Sequence, residues 1–262
     1  MISDSMSRAA ALMENFKSSS QESPLTISET PPGAPVGPPF GPEDPEENAI
    51  SDIALEALEA ELPALTVLRD FANRAARVSW FSALGEPLDD ACLDLVTLYL
   101  EGLGLPEAAA APLLDWRDAA DAAQSMDINS EAWEIEEQFR AAAATDALTL
   151  ISEEGLGIML THLASSLSED VANCVEEALY MADEASSEAL TNLAAGAAQQ
   201  AVHGAALSLA AYAAQAFKAD PHMETLELDD EEIANHPLML RFRLFEMGRW
   251  PVSLIGNSLN LF

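Results

Sequence analysis

Between Glu188 and Lys218 the chain runs from Ala189 to Phe217 without a charged side chain, as ALTNLAAGAAQQAVHGAALSLAAYAAQAF. A stretch this long and this poor in charge has two physical homes, a bilayer or the middle of a helical bundle. Alanine is only weakly apolar, and Asn192, Gln199, Gln200, His203 and Gln215 would each need a partner inside hydrocarbon, so the bundle is favoured and a membrane span is not. Small residues at 197, 201 and 205 let neighbouring backbones approach closely, as suits a central helix surrounded by others.

The flanking sequence supplies those others. From Ala49 onward the pattern is helical almost throughout. SDIALEALEAEL is capped by Ser51, and PALTVLRDFANRAARVSWFSALG follows, from Pro63 to Gly85. PLDDACLDLVTLYLEGLG places acid at the positive end of a helix dipole and glycine at the other end. PEAAAAPLLDWRDAADAAQS and SEAWEIEEQFRAAAATDALTLI add one or two more helices. Serine followed by acid at Ser130, Ser152, Ser168 and Ser187 reads as a series of N-caps, each starting a helix.

Near the C-terminus, Asn235 or His236 caps and Pro237 opens a segment that ends before Gly248. Its Leu240-Arg241-Phe242-Arg243-Leu244 alternation suits a strand as well as a short helix. RWPVSLI and SLNLF flank Gly256-Asn257, a hairpin turn pair, and Pro251 confines its strand to a sheet edge. The expected fold is therefore mainly α, a multi-helix bundle around a central Ala-rich helix, with a small C-terminal β-hairpin at about 249–262. Trp250 and Phe262 should fill core space there, so that the segment closes the bundle rather than forming a free tail.

Residues 49–262 are expected to form the helical domain. Ahead of it, residues 18–48 hold eight of the fifteen prolines among Ser, Gly and acid, a composition that reads as a disordered Pro-rich acidic linker. Residues 1–17 read as a short N-terminal segment with helical potential. The start has no cationic region followed by an apolar one, which favours the cytoplasm over secretion. Cys92 and Cys174 are too few for a disulfide framework and are expected to be reduced, buried thiols.

Charge limits what such a fold can bind. Asp and Glu number 45 against 11 Lys and Arg, for a formal net charge of −34. No basic group is denser than Arg69, Arg74 and Arg77, and Asp70 stands four residues before Arg74 in the orientation of a helical ion pair. Nucleic acid and anionic membrane surfaces are thus poor ligands. Acidity on this scale suits a basic protein partner, or a proteome adapted to high salt.

No nucleotide-binding, hydrolase or zinc-protease signature occurs. The Glu-x-x-His spacing of helical di-metal sites is missing, and four scattered histidines give no ligand spacing, so neither metal nor cofactor is expected. From Ala141 to Phe217 there are ten Asp or Glu and no Lys or Arg. The sequence therefore points to a soluble, non-enzymatic protein-binding module of the inhibitor, immunity-type or adaptor kind. Its candidate contact residues are Glu169, Asp170, Glu176, Glu177, Asp183, Glu184, Glu188, Asp229, Asp230, Glu231 and Glu232. The alternative is a helical enzyme or small-ligand protein with a polar pocket formed by His203, Gln199, Gln200 and His162.

Overall fold

The structure, a computed structural model, describes residues 65–126, 130–182, 188–222, 226–228 and 231–262. The N-terminal segment, the Pro-rich linker and the helix expected after Ser51 lie outside the described residues, as do Asp183, Glu184, Ser187, Asp229 and Asp230. The described residues hold eight helices and one three-stranded sheet.

The uncharged stretch forms one helix, α6 (Glu188–Ala219), and it is the centre of the bundle. Against it pack α1 (Thr66–Ala75), α4 (Glu131–Ala147), α5 (Glu153–Met181), the single turn α7 (Glu231–Ala234) and α8 (Pro237–Glu246). From Ala201 to Ala214 nearly every α6 side chain except His203 and Tyr212 is buried, which its alanines permit without forcing neighbours apart. At Gly204 a Cβ would meet the Leu238 side chain at 3.4 Å, an ordinary van der Waals contact, so α8 lies directly over this turn of α6.

Helix α5 differs from its expected form. Ser152 caps it, accepting from the Gly155 amide at 3.1 Å, but the helix then runs through Ser168 without a second start. The cause is a stripe in phase across that serine: Leu163, Leu167, Val171, Val175 and Leu179 are all buried on one face. Continuous packing outweighs the modest preference of serine for a cap. Helix α4 starts as expected, with Ser130 accepting from the Trp133 amide. Helix α1, by contrast, ends at Ala75, ten residues short of Gly85, and the chain then makes a compact turn region in which Phe81 takes a φ of 58°.

That turn region is held by the C-terminal segment. Phe71, Trp80 and Phe81 meet Phe242 and Phe245 of α8 edge-on or tilted, with ring centroids 4.9 to 6.1 Å apart. Trp250 continues the chain of rings to Phe81 and Trp116, and Phe262 meets Trp116 at 5.2 Å. Arg249, buried, donates to the carbonyls of Ala83, Glu86 and Pro87. Gly248, at φ +74°, leaves no room for a Cβ, which would lie 2.7 Å from the Ala83 nitrogen. Residues 237–262 thus close the bundle and are largely buried, apart from the exposed turn at 255–258. Segment 237–246 is a helix, capped by the His236 ring, whose Nδ1 accepts from the Leu238 amide.

The hairpin forms around Gly256-Asn257 as β2 (Pro251–Ile255) and β3 (Ser258–Leu261), but it is not alone. A strand β1 (Ala109–Pro112) pairs parallel to β3, Ala109 opposite Ser258, giving the order β1-β3-β2 with Pro251 and Pro112 on edge strands. The sequence reading of 106–112 as helix is therefore corrected. Pro112 disfavours helical geometry at the residue before it, and the alanines between Pro106 and Pro112 are too few to nucleate a helix once β3 offers its hydrogen bonds. Helices α2 (Asp90–Gly102) and α3 (Trp116–Gln124) complete the described elements, capped by the carboxylates of Asp89 and Asp115.

Candidate functional site

Of the acidic residues picked from sequence, those described stand on three helices. Glu169, Asp170, Glu176 and Glu177 lie together on α5, all exposed, on the side opposite the buried Leu167–Val171–Val175–Leu179 stripe. Spacings of seven residues set Glu176 and Glu177 two turns beyond Glu169 and Asp170 on the same side of the helix. Among the described residues none of the four forms an ion pair, and α5 itself carries six carboxylates and no Lys or Arg. The same face ends in Tyr180, 81% exposed, followed by Met181, 76% exposed. Glu188 is exposed in the first turn of α6, whereas Glu231 and Glu232 stand on α7, which packs chiefly on α6 and α8.

The acidic face acts on one thiol nearby. Cys174, half-buried on α5, has its pKa raised first by burial and then by the charges of Asp170 and Glu177. It is less enclosed than the sequence suggested, while Cys92 is fully buried; both are free thiols.

The polar residues around His203 differ in exposure. His203 and Gln200 are exposed, and Gln199 and His162 are half-buried. Asn192, Gly196, Gln200 and His203 follow one another at helical spacing along the least buried stripe of α6, so the polar residues of the uncharged stretch are where its N-terminal half meets solvent. Partial desolvation of the ring, then the charge of Arg140, holds the His203 pKa below its ordinary value. None of the four residues lines either concavity described next.

The first concavity is an open, polar groove of about 530 Å³ beside the end of α1, lined by Asp70, Asn73, Arg74, Arg77, Val78, Ser79 and Glu246. Arg74 grips Glu246 of α8 with two bonds of 2.6 and 2.7 Å, so its role is to tie α1 to α8.

The second concavity was not foreseen. Glu136 of α4 is buried, and its carboxylate serves three donors from three helices: the Tyr99 hydroxyl of α2, the Arg140 guanidinium one turn on at 2.8 Å, and the Arg241 guanidinium of α8. Arg140 also reaches Glu137 at 3.1 Å and lies 5.8 Å from the Trp133 ring centroid. Burial, with the Glu136 charge beside it, pushes the Tyr99 phenol well above its ordinary range. Burial by itself would lower the Arg241 pKa, but the adjacent Glu136 carboxylate outweighs that and raises it. Tyr99, Trp133, Glu136 and Arg241 line a cavity of about 40 Å³ beneath β2 and β3.

A clue to it existed in the sequence. Ala132, Glu136, Ala143 and Ala147 share the buried stripe of α4, so a carboxylate falls where the 3.6-residue period calls for an apolar residue.

Among the described residues no cluster of His, Cys, Asp and Glu is arranged to hold a metal ion, and no helix is long and apolar enough to cross a membrane. The chain matches no protein-family model, no curated protein sequence and no solved structure.

Proposed function

We propose that this chain is a non-enzymatic binding module of the inhibitor, immunity-type or adaptor kind, acting in the reducing cytoplasm on a basic protein. The observation that carries the reading is the α5 face. Four unpaired carboxylates lead to an exposed Tyr180 and Met181, so charge without a counter-ion stands beside large exposed side chains on one face. Carboxylates steer a cationic partner and speed its encounter, while an aromatic and a methionine supply the desolvated contact that holds it. Glu188, in the first turn of the next helix, adds a further charge to the set.

The test is differential capture. Wild type is compared with a variant carrying Glu169→Gln, Asp170→Asn, Glu176→Gln and Glu177→Gln, and with Tyr180→Ala, at low and high salt. The reading requires a basic protein retained by wild type, released by salt, and lost from both variants. Identical sets of captured proteins from all three would overturn it.

A further inference from the structure

The second half of α5 carries two sulfur atoms, at Cys174 and Met181, and its surroundings treat them differently. A thiol reacts with an oxidant as the thiolate, so whatever raises its pKa slows it. Burial, and then the charges of Asp170 and Glu177, do this to Cys174, and Cys92 is fully buried. A thioether has no proton to lose. Its oxidation needs an exposed sulfur and is indifferent to the carboxylates that hold the thiol protonated.

Exposure then singles out one methionine. Among the described residues Met159 and Met239 are enclosed, at 0% and 1% exposure, Met247 is half-buried, and Met126 is 37% exposed against 76% for Met181. Met181 closes α5, beside the exposed Tyr180 and one turn beyond Glu177, at the end of the acidic face where large side chains meet solvent. A field of one sign disfavours anionic oxidants and leaves neutral hydrogen peroxide as the reagent that it does not repel.

We infer that Met181 is a site of reversible oxidation by hydrogen peroxide, whose sulfoxide makes the apolar end of the α5 face polar. The sulfur lone pair attacks one peroxide oxygen, an S–O bond forms as the O–O bond breaks, and the departing hydroxide takes up a proton and leaves as water. Sulfur gives up two electrons and the peroxide is reduced. Two thiols of a reductant reverse the change through a methionine sulfoxide reductase, yielding the thioether, a disulfide and water. The Met181 side chain stands largely in solvent, so the core is untouched and the change falls on what the face can bind. That consequence rests on the function proposed above: a basic protein held at Tyr180 and Met181 is released by the sulfoxide.

The experiment treats the intact chain with hydrogen peroxide at pH 6 and pH 7, quenches at intervals and maps the peptides by mass. The expected result is one added oxygen at Met181, at the same rate at both pH values, ahead of Met126 and roughly tenfold ahead of Met159 and Met239. At pH 6 the Cys174 thiol should remain intact when half of Met181 has reacted, and the thermal midpoint should not move. The two methionine sulfoxide reductases with dithiothreitol should return Met181 to its original mass. Oxidation of Met181 no faster than Met159, or only after Cys174, would overturn the assignment, as would a sulfoxide that the reductases cannot remove. Retention of a basic protein at low salt is then compared before and after peroxide. Wild type should lose about fivefold, and Met181→Leu, which keeps an apolar side chain without sulfur, should lose nothing. Equal losses in the two would overturn the link between Met181 and binding. If no basic protein is retained before peroxide is added, the function proposed above fails, and the peptide masses still decide the oxidation site.

Discussion

Glu136 shows how much structure one side chain can carry when it is buried with its partners. Its carboxylate joins α2, α4 and α8, and with a side-chain exposure of 7% it has little water to fall back on. Glu136→Gln leaves Arg241 without its counter-charge and should cost about 3–5 kcal/mol in urea denaturation. Tyr99→Phe removes a single donor and should cost about 1 kcal/mol, because the acceptor keeps two other bonds. His236 offers a test in pH. Burial lowers its pKa, and its Nδ1 caps α8 only when unprotonated. The folded state therefore favours the neutral ring, so this contribution is full above the ordinary histidine value near 6.5, where the unfolded chain titrates, and is lost as pH falls below it. Thermal midpoints of wild type and His236→Asn, which retains a capping oxygen, should converge as pH falls from 7.5 to 5.5.

At the scale of elements, the α5 face makes its field measurable through its own thiol. Replacing Asp170 by Asn and Glu177 by Gln removes two of the charges that raise the Cys174 pKa, so alkylation by iodoacetamide at pH 8 should become faster by a few-fold, with Cys92 unreactive in its core position. The elements also show what was legible beforehand. The central helix could be read from Ala189–Phe217 because absence of charge is a one-dimensional signal. Caps at Ser130 and Ser152 could be read because a cap is local. Strand β1 could not, since alanine prefers a helix and the pairing that overrides it comes from Ser258–Leu261, far away in sequence. Ser168 misled for a related reason: cap chemistry is visible in the sequence, whereas the stripe that carries α5 past it draws its energy from α6. The α5 carboxylates were legible as a group because they share one helix face, whereas the packing of the helix that carries Glu231 and Glu232 on α6 and α8 was not. Glu136 was legible in principle as a misplaced residue in an apolar period, while Tyr99 and Arg241, its partners, required the fold.

Taken whole, the molecule joins a helical bundle dominated by local contacts to a clasp of distant ones. Trp250, 1% exposed, meets Phe81 and Trp116, and its backbone exchanges two hydrogen bonds with Phe262. Trp250→Ala should cost about 3–5 kcal/mol, whereas Tyr180→Ala, on the surface, should change stability by no more than about 0.5 kcal/mol; chemical denaturation of the two side by side separates a residue kept for the core from one proposed for binding. The middle position of β3 has a kinetic sequel. Helices α5 and α6 are consecutive in sequence and can associate early, but β1 has no hydrogen-bonding neighbour until Ser258–Leu261 has threaded back to lie beside it, a closure with a large loop entropy. Amide exchange should accordingly report the three strands and the ring cluster opening as one cooperative unit, at a lower free energy than the protected interior of α6.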